Sequence, residues 1–195
     1  MLVFLSALAL NIYSSSLDFY TNKFLKMPKA NFIAMGTMWA LQSFICLGIL
    51  QPILVRKLGE IGTLTCSFVS MIIFYFLFSA LTADTASWAF VIIFLFSLGS
   101  MAYPLAVGLA TRELPPEQQG ALQGAISTLE TTAKIIAPLV AAAVLKRTNQ
   151  PGQFFGMVYF VAGCSLLPAI CCCLCLYTST GRTALRSSEL QVEMQ

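Results

Sequence analysis

Six apolar stretches divide this chain, each near the ~20 residues an α-helix needs to cross a bilayer. They run about Leu2 to Tyr20, Asn31 to Val55, Ile61 to Leu81, Ala86 to Thr111, Pro116 to Leu145 and Phe154 to Tyr177. Lipid offers the backbone no hydrogen bonds, so such stretches are expected as helices, which satisfy their own N–H and C=O groups. The connections are short and leave no room for a domain outside the membrane. The expected fold class is therefore an all-α membrane protein with six transmembrane helices over 1–177. A polar tail, 178–195, is expected to be disordered. Composition agrees: 58% of residues are hydrophobic and 10% charged, where soluble domains average about 25% charged.

Several function classes lose their residues at once. The chain has no histidine, which removes His-based triads, His metal sites and imidazole relays. Its acidic residues, Asp18, Asp84, Glu113, Glu117 and Glu130 among them, are scattered, with no nucleophile beside a base. No catalytic residue, metal site or cofactor is expected, and the chain is not expected to be an enzyme. The net charge of +3 gives no sign of nucleic-acid binding. Seven cysteines are present, mostly inside apolar runs and without paired CxxC spacing, so neither a zinc site nor a disulfide framework is expected. The run Cys171-Cys172-Cys173-Leu174-Cys175 reads as small apolar residues, with S-palmitoylation near the membrane surface as the alternative. The first stretch has no Lys or Arg before Lys23 and reads as a membrane helix rather than a secretory signal.

The fifth stretch is the unusual one. On a helical wheel Gln119, Gln123, Ser127, Glu130, Lys134 and Pro138 fall within an arc of roughly 100°. A polar stripe in a membrane must face other helices or water. Glu130 and Lys134 are spaced i, i+4 with the acid first, the favourable order for a helical ion pair. They read either as a neutralised structural pair or as part of a substrate or proton pathway. Burying an ion pair for stability alone gains little, whereas ionisable groups inside membrane helices commonly mark pathways. Asn11, Gln42 and Tyr103 are the polar side chains of the first, second and fourth stretches that join the same candidate pathway. Asp18 reads as an interfacial carboxylate near Lys23 and Lys26. Gly120 and Gly124 have GxxxG spacing, which suits close helix packing, and Pro138 belongs to the same packing set. The third stretch is apolar nearly all round and is expected to face lipid. Lys and Arg divide equally between the two membrane faces, so the charge rule leaves orientation open.

Two segments carry a resemblance. Pro116-Glu117-Gln118-Gln119-Gly120-Ala121-Leu122-Gln123-Gly124, followed by a helix reaching Ala137-Pro138-Leu139, resembles the entrance to helix eleven in the major facilitator superfamily. The similarity is to its tetracycline-resistance branch and the related hippocampus-abundant-transcript-like transporters. Arg56-Lys57-Leu58-Gly59-Glu60 sits where that superfamily repeats its D-R-x-G-R-R cytoplasmic loop motif, with Arg56 in place of the acid and Glu60 in place of the base. Arg56, Lys57 and Gly59 are the candidate motif residues. The resemblance implies helices seven to twelve of a twelve-helix transporter, with both termini cytoplasmic. It implies a cavity lined by the first, second, fourth and fifth stretches. The expected function is transport of a small organic solute as half of a secondary active transporter, coupled to protons, by alternating access. The expected partners are the small-molecule substrate, protons, the lipid bilayer, and a missing N-terminal six-helix half or a second copy. The alternative is a truncated, non-transporting membrane protein that modulates a full-length transporter.

Overall fold

The computed structural model describes residues 1–95, 97–112, 114–148 and 156–178. Among them every regular element is helical. In chain order these are α1 (Leu2–Lys23), α2 (Lys29–Ile45), a π-helical turn (Cys46–Leu50), α3 (Gln51–Ser79), α4 (Trp88–Leu95), a 3₁₀ segment (Ser97–Met101), α5 (Ala102–Arg112), α6 (Pro116–Thr148) and α7 (Met157–Ser165). Helix resumes over 167–178 after a turn at Leu166. Thr178, assigned to the tail from sequence, is still helical; the rest of the tail, and the expected start of the last helix at Phe154, lie outside the described residues.

Five helical stretches are long and apolar enough to cross a membrane. The second runs from Lys29 to Ser79, 51 residues. A straight helix of that length would measure about 75 Å, against a hydrocarbon core of ~30 Å. Gly59 breaks it, with φ 73° and ψ 171°, a backbone conformation that glycine adopts without a Cβ clash. The rings of Trp39 and Phe74 lie 5.7 Å apart. Along a continuous helix they would be about 50 Å apart, so the chain folds back on itself at Gly59.

Two prolines disturb the helices at matching places. A proline lacks the N–H that would bond the carbonyl four residues back, and its ring crowds that carbonyl. Pro52 stands four residues after Gly48, and the helix there widens into the π turn, closed by the Gln51 N–H on the Cys46 carbonyl. Pro104 stands four residues after Ser100, and the helix there tightens into the 3₁₀ segment. These two irregular segments pack on each other. Gly99, within the second, lies so close to Met71 that no side chain would fit between them.

The centre of the bundle corrects one expectation. The third apolar stretch does not simply face lipid. Leu64, Phe68, Phe74, Tyr75 and Phe78 are all buried in the core, and of its large apolar side chains only the stripe Val69, Ile73 and Leu77 is exposed. A helix apolar on every side suits a protein core as well as lipid, so its composition did not separate the two. Its hydroxyls are spent internally: Thr63 donates to the Gly59 carbonyl at 2.7 Å and Ser67 to that of Thr63 at 2.9 Å. Tyr13 of α1 sits among the rings of Trp39, Phe74, Tyr75, Phe78 and Tyr159 at centroid distances of 5.5–5.9 Å. Pairs at such separations contribute about 0.5–1.5 kcal/mol each beyond area burial. The Tyr20 hydroxyl donates to the Leu81 carbonyl at 2.9 Å, fixing the end of α1 to the end of α3.

α6 packs mainly on α1, and its buried residues are small or aliphatic: Ile126, Ala133, Ala137 and Ala141, with Thr148 at its end. Alanines at i, i+4 and i+8 let two backbones approach closely. The rest of α6 is open. Only 17% of its membrane-length core is buried inside the chain, against at least 39% for each other stretch.

Candidate functional site

A groove follows α2 from one end of the bundle to the other. Its central cavity has a volume of about 420 Å³ and is walled by Trp39, Met71, Phe74, Tyr75 and Tyr103, with Ser6, Ser43 and Ser100 supplying hydroxyls. A second cavity of about 330 Å³ shares Leu10 and Trp39 with it and reaches Phe32 and Ile33 near the start of α2. A third, of about 370 Å³, shares Leu47 and Pro104 and ends at Glu60 and Arg112. The π turn and the 3₁₀ segment contribute the shared wall: Leu47 belongs to the first, and Pro104 follows the second closely. The volume and the mix of aromatic walls with a few hydroxyls are those of a small-molecule site.

Three residues singled out from sequence come together, one of them on the groove wall. Tyr103, on α5, lines the central cavity, and its phenol lies close to the Glu130 carboxylate of α6. The Lys134 ammonium lies 4.0 Å from the same carboxylate. Glu130 is the more enclosed of the charged pair, its side chain 27% exposed against 62% for Lys134. Pro138 cannot donate to the Lys134 carbonyl four residues before it, which places an extra acceptor one turn along the same helix. An acid, an ammonium and a phenol within reach of one another can hold or pass a proton, or bind a polar substituent of a ligand.

The other sequence candidates are placed differently. Asn11 is half-buried and its amide donates to the Ala7 carbonyl of its own helix at 2.7 Å. Gln42 is buried beside the π turn; its amide nitrogen lies 3.6 Å from Cys46 Sγ, and its Oε1 has no partner among the described residues. Neither lines the three cavities. Gln123 and Ser127 are exposed on α6 and line none of these three cavities. Asp18 accepts a hydrogen bond from Asn22 at 2.7 Å, a local contact. Gly120 and Gly124 are exposed, and a Cβ at either would meet nothing within 4 Å. The helix seam of this chain runs instead through Ala133, Ala137 and Ala141. Pro138 is exposed beside that seam.

Arg56 and Lys57 are exposed at the fold-back, next to Gly59. The motif residue with a partner is Glu60, which forms an ion pair with Arg112 at the end of α5. Sequence reasoning did not join these two residues. It also missed the aromatic wall, Trp39 and Tyr75, because aromatic residues in an apolar helix carry no mark of which face they take.

Among the described residues no group of three or more Cys, Asp or Glu side chains is placed to hold a metal ion. No curated protein and no solved structure matches the chain. The model of one protein family does match, over residues 1–138, from the first helix through the charged pair of α6 to Pro138. With its apolar helices and its groove, the chain is a multi-pass integral membrane protein that belongs to the Major Facilitator Superfamily of transporters.

Proposed function

We propose that the chain is the C-terminal six-helix half of a secondary active transporter that moves a small organic solute by proton-coupled alternating access. One observation carries this reading: Glu130 sits between Lys134 and Tyr103, and Tyr103 lines the aromatic-walled groove. Glu130 exchanges partners, and protonation or substrate releases it from Lys134. The two states of that pair then bias the two states of the groove. The exposed polar face of α6, with Gln123, Ser127 and Lys134, cannot be solvated by lipid. Its counterpart is an N-terminal six-helix half or a second copy of the chain. The cytoplasmic side is the one bearing the Gly59 turn and both termini, as in the tetracycline-resistance branch that the Pro116–Gly124 segment resembles.

A second reading is a non-transporting protein that docks on a full-length transporter. Gly120 and Gly124, which have open space beside them, favour it. One experiment separates the two. The chain is co-expressed with the N-terminal half of its transporter, and everted vesicles are tested for flux of tetracycline, hexoses and organic cations under an imposed pH gradient. Gradient-driven flux that vanishes in Glu130→Gln, at an unchanged membrane level, is the expected result. Flux unaffected by Glu130→Gln overturns proton coupling through this residue. Copurification without flux of any probe favours the docking protein.

A further inference from the structure

The groove leaves one sequence feature unused, the run Cys171-Cys172-Cys173-Leu174-Cys175. The structure separates its members. Cys173 is buried beside the Thr65 side chain of α3. Cys172 is half-buried, whereas Cys171 and Cys175 are exposed. The exposed pair is four residues apart, one turn above the other on a single helix face. Two other roles fail on geometry. No metal-holding group forms among the described residues. Side chains at i, i+4 have Cβ atoms about 5–6 Å apart, beyond the ~3.5–4.5 Å of a disulfide.

Depth and side follow from the neighbours. At 1.5 Å per residue Cys175 lies about 3 Å, and Cys171 about 9 Å, before Tyr177 along the helix. Tyr177 is 62% exposed, and tyrosine favours the membrane–water boundary. The Cys173–Thr65 contact sets this end of the helix beside the part of α3 that follows Gly59. It is the end that carries Arg56, Lys57 and Arg112. The face around the two thiols is apolar and open, with Leu167 and Leu174 about half exposed.

From this placement we infer that Cys175, with Cys171 a turn deeper, is an S-acylation site that takes a long-chain fatty acyl group from an acyl-coenzyme A thioester. The Cys175 sulfur bonds to the acyl carbonyl carbon as the carbon–sulfur bond to coenzyme A breaks. The proton lost by the cysteine thiol ends on the coenzyme A thiol, and nothing is oxidised or reduced. The acyl chain then lies in lipid along Leu167 and Leu174. The inference rests on the cytoplasmic side proposed above, where acyl-coenzyme A is found.

The test uses the full chain expressed in eukaryotic cells. Free thiols are blocked, thioesters are cleaved with hydroxylamine, and the released thiols are given a polyethylene-glycol mass tag. The expected result is a hydroxylamine-dependent shift that is lost in the double variant Cys171→Ser/Cys175→Ser and kept in Cys172→Ser and Cys173→Ala. A shift that survives the double variant overturns the site. A C-terminal epitope reports sidedness in the same cells, by its need for permeabilisation. No shift with a cytoplasmic epitope overturns acylation alone. No shift with an epitope on the opposite side overturns the orientation as well.

Discussion

Arg112 and Glu60 form an ion pair that closes one end of the groove, joining the last residue of α5 to the residue after the fold-back at Gly59. The Arg112 side chain is 73% exposed, so water screens the pair, and such pairs contribute about 0–1 kcal/mol. A double-mutant cycle with Glu60→Gln and Arg112→Gln in detergent should give a coupling energy within that range. Exchanging the charges, Glu60→Arg with Arg112→Glu, should recover most of the coupling. A coupling energy well above that range would show that the pair is shielded from water in the folded protein.

Gly59 and Gly36 have equally empty surroundings but opposite expected responses to alanine. At Gly59 the positive φ makes any Cβ costly, and Gly59→Ala should destabilise by about 1–2 kcal/mol. Gly36 lies inside α2 with ordinary helical geometry, and Gly36→Ala should stabilise by about 0.5–1 kcal/mol. Thermal unfolding of the two variants side by side reads the difference. Equal shifts would mean that the fold-back does not depend on a left-handed residue.

The seam between α1 and α6 predicts a contrast along α6. Ala137 is fully buried, and Ala137→Leu should overpack the seam and cost about 1–3 kcal/mol. Gly124 lies inside α6 and meets nothing within 4 Å, so Gly124→Leu should not lower the melting temperature of the isolated chain and should raise it slightly, as a better helix former replaces glycine. If another six-helix unit docks along Gly120 and Gly124, the same substitution should weaken copurification with it.

Pro52 and Pro104 should set the softness of the groove wall. Pro52→Ala supplies an N–H for the Gly48 carbonyl, and Pro104→Ala supplies one for that of Ser100. Each change should raise amide-exchange protection over its irregular segment, as a regular helix replaces the π turn or the 3₁₀ segment. Unchanged protection would assign those irregularities to tertiary packing rather than to proline.

The sequence exposed the charged pair of α6 more readily than it exposed its surroundings. Glu130 and Lys134 stand out because charges are rare in apolar runs, and their i, i+4 spacing follows from helix geometry alone. Tyr103 was one polar side chain among several on the fourth stretch. Its meeting with Glu130 depends on how α5 crosses α6, which no local pattern records. Asn11 shows the reverse: a polar side chain in a membrane helix that is satisfied by its own backbone at Ala7.

By itself the sequence determined the membrane class, the all-helical fold and the positions of the apolar stretches, because lipid forces the backbone to bond within each stretch. Periodicity also located the polar face of α6. Only the tertiary structure decided which apolar face is core and which meets lipid. Leucine and phenylalanine suit both solvents equally, so α3 became the centre of the bundle through its rings rather than through any mark in its composition. Tertiary structure also brought Tyr103 to Glu130 and Glu60 to Arg112, contacts between residues whose proximity is set by helix crossing and by the reversal at Gly59.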